Sequence, residues 1–388
     1  MIPYGRQSIC EADIASVVEV LRSDFLTQGE MVPKFEKALA MMVHSKFTVA
    51  VNSATSALHL ACQALGLGPG DRLWTTPVSF VASANCGLLC GAIVDFVDID
   101  PETLNFCPAK FEEKLIAANA KGQLPKIIIP VHLSGHPCNM EKIASLAKRY
   151  GVRIVEDASH AIGSSYLNGE PVGSCQYADI TVFSFHPVKI ITTGEGGAAT
   201  TNDPSLAAIM SDLRSHGITR DTDRLQLRDE GAWYYEQLSL GQNYRMTDLQ
   251  AALGVSQLKK LDGFVKKRRQ IAAQYNILLE GVTVTTQTIL NPNCSSWHLY
   301  LINLTTKKRD ERRQVFDAMR NADIGVNVHY IPIHLQPFYQ SMGFKVGDFP
   351  NAERYYDSCL TLPLHPELKP TQQTYIIETL RDILSQRF

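Results

Sequence analysis

Phe183-Ser184-Phe185-His186-Pro187-Val188-Lys189-Ile190-Ile191-Thr192-Thr193-Gly194-Glu195-Gly196-Gly197 ties the end of one apolar run, residues 180–184, to the start of another, 197–201. Both runs read as buried strands, and a single lysine stands in the small-residue turn between them. Upstream, short apolar runs at 47–51, 72–75, 92–97, 126–131 and 153–157 alternate with helical patterns at about 54–66, 80–90 and 139–150. That alternation predicts a wound α/β domain with a mostly parallel central sheet. Residues 12–45 read as helical, interrupted at Leu26-Thr27-Gln28-Gly29, and Pro204 opens a further helix. A long helix from 247 to about 279 is expected to lead into a smaller α+β domain with strands at 297–304 and 325–331. The domains are drawn at 12–250 and 251–388, with residues 1–11 packing near the functional site.

The 388 residues carry a formal charge of −2, so no basic stripe suggests nucleic acid and no polybasic patch suggests a membrane surface. The one basic run, Lys266-Lys267-Arg268-Arg269, fits a solvated helix face. No apolar stretch is long enough to span a bilayer, and the N-terminus lacks a signal-peptide shape. Nine cysteines without a CxxC pair fit free thiols in a reducing, cytoplasmic setting. Cys86 and Cys90 are one helical turn apart, but no second ligand pair follows at zinc-site spacing. His132 and His136 lack an HExxH helix, so no metal centre is expected. There is neither GxGxxG nor GxxxxGK[ST].

Ligands of wound sheets collect beyond the carboxyl ends of the strands. The polar clusters fall there: Asn52 to Ser56, Thr75 to Phe80, His132 to Gly135, Asp157 to His160, and Ser184 to Lys189. A lysine in such a turn can lose its proton and attack an aldehyde, as pyridoxal phosphate requires. Its phosphate would need helix-start amides and hydroxyls, which Ala54, Thr55 and Ser184 offer, although taken alone a plain Ser/Thr cap is the better explanation. The pyridine nitrogen would need a carboxylate, and Asp157 is the candidate; Glu156 alternates to the other side of its strand. Asp157 can also be read as a turn residue. Phe80 is placed to stack on the ring, although alone it would read as core, and His160 to touch the ring hydroxyl. His186 is a candidate support for the lysine turn.

Taken together these segments resemble the DegT-type nucleotide-sugar aminotransferases, of the fold-type I pyridoxal-phosphate enzymes. The likeness spans nearly the whole chain. Its landmarks are Leu26-Thr27-Gln28-Gly29, Asn52-Ser53-Ala54-Thr55-Ser56-Ala57-Leu58, Pro130-Val131-His132-Leu133-Ser134-Gly135, Glu156-Asp157-Ala158-Ser159-His160-Ala161, Phe183-Ser184-Phe185-His186, Lys189, Gly194-Glu195-Gly196-Gly197, Arg214-Ser215-His216-Gly217 and Gly241-Gln242-Asn243-Tyr244-Arg245-Met246. So many matches in order are specific where any one is weak. The resemblance implies that Lys189 bonds the cofactor's aldehyde and moves the proton, Asp157 pairs with the ring nitrogen and Phe80 stacks on the ring. Ala54, Thr55 and Ser184 would hold the phosphate. Asn243 would reach the phosphate of a neighbouring subunit, in a homodimer with shared sites.

Many members of the family carry Gln where this chain has His160. Histidine there looks like the branches acting on 4-keto sugars of pseudaminic acid and of aminoarabinose. Thr75-Thr76-Pro77-Val78-Ser79-Phe80, His329-Tyr330-Ile331-Pro332-Ile333 and Leu362-Pro363-Leu364-His365 favour the first. The implied acceptor is UDP-2-acetamido-2,6-dideoxy-β-L-arabino-hexos-4-ulose and the donor L-glutamate, with another nucleotide-linked 4-keto sugar as the alternative. Tyr4, Thr27, Gln28, Arg245, His329 and Tyr330 are the candidate sugar and diphosphate contacts, each also readable as merely structural. Related sugar dehydratases replace the lysine with histidine, so Lys189 argues against dehydration. A regulatory protein with a vestigial site would need an added segment or lost catalytic residues, and neither is present.

Overall fold

A computed structural model describes residues 1–227, 230–305 and 309–387. Among the described residues the strands are β1 Phe47–Val51, β2 Arg72–Thr75, β3 Ile93–Phe96, β4 Ile127–Ile129, β5 Arg153–Asp157, β6 Ile180–Ser184, β7 Gly197–Thr201, β8 Ile218–Thr219, β9 Glu236–Gln237, β10 Val284–Thr286, β11 Tyr300–Leu304 and β12 Cys359–Leu362. The helices are α1 Glu11–Leu21, α2 Met31–Val43, α3 Ala54–Ala64, α4 Ala82–Leu89, α5 Pro108–Asn119, α6 Met140–Tyr150, α7 Pro204–Leu213, α8 Asp248–Leu258, α9 Leu261–Leu278, α10 Arg309–Asn321, α11 Pro337–Gln340, α12 Pro350–Ser358 and α13 Pro370–Arg387.

β1 to β7 form one sheet in the order β1-β7-β6-β5-β4-β2-β3, in which β7 alone runs antiparallel to its neighbours. The strands read as unbroken apolar runs because both faces are covered. Ile127, Ile129, Val155, Ile180 and Val182 point into one core with α3, α4 and α7. Ile128, Ile154 and Phe183 point into the other, with α2, α5, α6 and α8. This is the fold-type I architecture.

A third core gathers α9, α10, α13 and the sheet β10-β11-β12. The N-terminal segment joins it: Gly325 N donates to Ile2 O at 2.7 Å, and Leu364 N to Tyr4 O at 2.9 Å.

Four sequence expectations change. Arg268, read as part of a solvated helix face, is buried and donates to Trp297 O, His298 O and Leu364 O. The helix expected over 247–279 is two helices, because the chain turns at Lys259-Lys260, where the Lys260 ammonium pairs with buried Asp13 of α1. α8 thereby packs on α1 and α2. Residues 325–331 are not a strand: only Asn327 bridges to Thr361, after which the chain leaves the sheet. Strand β11 starts at Tyr300, since Trp297 takes a left-handed turn (φ 51°). Helices α5 and α10 to α13 and strands β8, β9, β10 and β12 were not anticipated.

Candidate active site

Asp157 closes β5 and is almost fully buried. Its Oδ2 accepts from Ser83 Oγ at 2.6 Å and its Oδ1 from Ser159 N at 3.1 Å. Ser83 is itself linked to Ser79 at 2.7 Å. The carboxylate is thus aimed by a hydroxyl relay on α4, one turn beyond Phe80. Glu156, one residue back, faces the opposite side, where its Oε2 meets His132 Nε2 at 2.6 Å and Tyr166 Oη at 2.7 Å. Cys138 N donates to His132 Nδ1 at 3.1 Å, so the His132 proton sits on Nε2 and is given to Glu156.

Lys189 follows β6 in a tight turn, its N–H on His186 O at 2.8 Å. Val188 N donates to His186 Nδ1 at 3.4 Å, so His186 does brace this turn. Burial pulls the Lys189 amine down to about 8, while Asp157 opposes the shift. The amine is therefore partly neutral near physiological pH, as a nucleophile or base must be.

At the start of α3, Ser53 caps Ser56 N at 3.1 Å, and the amides of Ala54 and Thr55 open the helix. Gly197 lies against this start. A Cβ on it would sit 2.5 Å from Ala54 N and from Ser53 C, so only glycine fits. Gly197 pairs in register with Ser184, the last residue of β6. The free amides of this helix start form a cradle suited to an anion, and the Asp157 carboxylate and Lys189 stand at and just beyond the ends of adjacent strands. Phe80 is exposed at the end of the β2–α4 turn, just ahead of the helix that carries Ser83.

The small domain adds an aromatic wall. Ser134 N donates to His160 Nδ1 at 3.3 Å, so the His160 proton lies on Nε2, 3.1 Å from Tyr330 Oη. Burial, with Lys189 and His329 nearby, holds His160 well below its ordinary value and therefore neutral. Burial and Lys189 push His329 down to about 3. Its Nδ1 lies 2.8 Å from Thr361 Oγ1, and its ring meets Tyr4 at 5.5 Å. Burial and Asp157 raise the Tyr330 hydroxyl, which keeps its proton.

Two expected site residues therefore join Tyr4: His329 and Tyr330 form one cluster with it and His160. Thr27, Gln28 and Arg245 lie elsewhere in this subunit. Gln28 and Arg245 line a separate recess of about 220 Å³ with Arg214 and Met246, and Thr27 is exposed beside it. Asn243 is exposed, its carbonyl accepting from Asn52 Nδ2 at 3.4 Å next to the α3 cradle. Sequence reasoning missed Ser83 and His298, whose ring packs 4.4 Å from that of His160. Neither carried a signal: each touches the site only through a partner distant in sequence.

A sequence profile described as the DegT/DnrJ/EryC1/StrS aminotransferase family matches residues 7–381. The chain belongs to this family. It is 39% identical to the spore coat polysaccharide biosynthesis protein SpsC of Bacillus subtilis, over 99% of this chain and 97% of that protein. It is 38% identical to the UDP-4-amino-4,6-dideoxy-N-acetyl-beta-L-altrosamine transaminase of Campylobacter jejuni, over 100% of this chain and 98% of the other. Among solved structures it is similar to PseC of Helicobacter pylori, an aminotransferase involved in pseudoaminic acid biosynthesis, with TM-score 0.91, 32% identity and 99% of each chain covered. It is also similar to the putative sugar aminotransferase Spr1654 of Streptococcus pneumoniae in its PMP form, with TM-score 0.90, 30% identity and 100% of each chain covered; a PLP form of Spr1654 matches likewise. This protein is a pyridoxal-phosphate-dependent sugar aminotransferase. The cradle at Gly197, the lysine and the buried carboxylate fit that cofactor. Among the described residues no helix is long and apolar enough to cross a membrane, and no side-chain group is arranged to hold a metal ion.

Proposed function

We propose that this aminotransferase moves the amino group of L-glutamate to the 4-keto carbon of UDP-2-acetamido-2,6-dideoxy-β-L-arabino-hexos-4-ulose, giving UDP-4-amino-4,6-dideoxy-N-acetyl-β-L-altrosamine for pseudaminic acid. The observation that carries the reading is the His160–Tyr330 pair above the lysine, with His329 and Tyr4 behind it. Similarity to the campylobacter and helicobacter proteins supports the same sugar.

Bound at this site, pyridoxal phosphate supplies an electron-accepting ring and a carbon that carries the amino group between the two substrates. Asp157, held by Ser83, would keep a proton on the ring nitrogen. Ala54, Thr55 and Ser184 would hold the phosphate, and Phe80 would cover one ring face. Lys189 takes the proton from Cα of glutamate and later delivers one to C4 of the sugar, as base and then acid. Tyr330 donates its hydroxyl proton toward the sugar while His160 fixes its direction. Thr27, Gln28 and Arg245 serve the diphosphate and nucleoside. They do so across a homodimer, in which Asn243 reaches the partner's cofactor phosphate. Exposed Trp233, Tyr235, Leu238 and Leu240, just before Asn243, supply apolar surface for that contact. The nine free thiols suit a cytoplasmic setting.

The test is competition among acceptors. The purified enzyme is given glutamate with this sugar, with UDP-4-keto-arabinose, or with the C5 epimer of the sugar, and amino-sugar product and 2-oxoglutarate are measured. The altrosamine product formed with the highest kcat/KM supports the assignment. A higher kcat/KM for another acceptor replaces it with that sugar, an outcome the likeness to SpsC makes a real competitor.

A further inference from the structure

The connection between β4 and α6 contains a turn that its sequence does not favour. Ser134 is buried and left-handed (φ 60°), a state that a non-glycine residue keeps only where its surroundings hold it. Asn105, itself buried, grips both ends of the turn. Its Oδ1 accepts from Leu133 N at 3.0 Å, and its Nδ2 donates to His136 O at 3.0 Å. From the other side, His298 N donates to Ser134 O at 2.8 Å. The Ser134 hydroxyl donates to Gln287, whose Nε2 donates to Thr103 O at 2.6 Å.

Held in this way, Ser134 N meets His160 Nδ1 at 3.3 Å. A backbone N–H can only donate, so His160 Nδ1 presents its lone pair. The proton of the neutral ring is then on Nε2, 3.1 Å from Tyr330 Oη, and is given to that oxygen. Tyr330 accepts, and its own proton is left for another acceptor. With the opposite tautomer the bond would run the other way, and the Tyr330 proton would be spent on His160. Burial of the ring, with Lys189 and His329 nearby, keeps it neutral, the state in which a tautomer can be chosen.

We infer that Asn105 is a positioning residue: by holding the 133–136 turn it keeps the Ser134 amide on His160 and so fixes the direction of the His160–Tyr330 hydrogen bond. The His160 main chain is held separately, its carbonyl accepting from Ser296 Oγ at 3.1 Å, so the amide governs the tautomer of the ring. Resting on the reading that Tyr330 donates to the sugar, the inference makes Asn105 a determinant of the sugar half-reaction and not of the glutamate half-reaction.

The cofactor-loaded protein is isotope-labelled at its histidine ring nitrogens, and the His160 signals are assigned by their loss in His160→Gln. The native ring should show an unprotonated Nδ1 and a protonated Nε2. Asn105→Ala should move the proton toward Nδ1. Asn105→Asp, which keeps the shape and the bond from Leu133 N but loses the donor to His136 O, should move it the same way and serves if the alanine variant folds poorly. Asn105→Ala should also slow the sugar half-reaction roughly tenfold and leave the glutamate half-reaction near its native rate. Tyr330→Phe should then cost less in the Asn105→Ala background than in the native one, because the hydroxyl it deletes is already misdirected. A native ring protonated on Nδ1, or the native tautomer kept in the Asn105 variants, would overturn the inference, as would additive effects of the two substitutions. If Tyr330→Phe costs nothing in the native background, the assignment of Tyr330 to the sugar falls, and the tautomer signals alone decide the role of Asn105.

Discussion

The Ser83 hydroxyl donates to Asp157 Oδ2 at 2.6 Å, from a helix that starts just after Phe80. One short helix therefore sets both the carboxylate proposed to meet the ring nitrogen and the residue proposed to cover the ring. Ser83→Ala removes a hydrogen bond to a buried charged group, worth about 2 kcal/mol. We expect kcat to fall roughly 10-fold and the cofactor to dissociate more readily, with little change in KM for the sugar. Steady-state kinetics and a cofactor titration check this.

Lys189→Ala should abolish turnover while circular dichroism and the melting curve keep their native form. Retained amination by that variant would remove Lys189 from the reaction.

The same lysine gives a pH signature in the cofactor-free protein. The unfolded chain holds this proton up to the ordinary lysine value near 10.4. The folded chain releases it at about 8. Unfolding takes up a proton between those values, so stability rises as pH climbs through that window. Below about pH 8 the buried ammonium exerts its full destabilisation. Lys189→Met should therefore raise stability at pH 7 by about 2 kcal/mol, after discounting the part of the side chain that solvent screens. Urea unfolding at pH 7 and pH 10 measures it, and the gain should shrink at the higher pH.

Gly197→Ala places a methyl group 2.5 Å from the backbone at Ser53 and Ala54, atoms that cannot swing aside. A loss of about 2 kcal/mol in stability is expected. Cofactor affinity should drop at least about 10-fold, because the displaced amides are those that would meet the phosphate. Thermal unfolding and a phosphate-dependent cofactor titration separate the two effects.

Tyr330→Phe deletes the hydroxyl 3.1 Å from His160 Nε2 and leaves that N–H without its partner. The sugar half-reaction should slow by about 10- to 100-fold, while the glutamate half-reaction, read from oxoglutarate release in a single turnover, stays near its native rate. Equal slowing of both halves would mean that Tyr330 serves the cofactor rather than the sugar.

Much of the large domain was legible in advance. Strands β1, β2, β5, β6 and β7 stand at the expected residues, since both faces of the sheet are covered and each strand is a bounded apolar run. The small domain was harder. Its strands are short and lie partly at the surface, α10 is strongly polar, and residues 325–331 follow local hydrogen bonds and an Asn327–Thr361 bridge instead of a ladder. The single helix expected across residue 259 failed for a similar reason: helical periodicity continues through Lys259-Lys260, and only the tie from Lys260 to Asp13 marks the break.

By itself the sequence determined the sheet, the loops at its carboxyl ends, and the lysine, carboxylate and helix start that sit there. These depend on local periodicity, on caps and on the residue that ends each strand. The tertiary structure alone decided which distant groups complete them: Ser83 on Asp157, Gly197 against Ala54, and Tyr330 and His298 around His160. Each of these pairs is made where separate helices, strands or domains pack together, and a contact set by packing leaves no period in the chain.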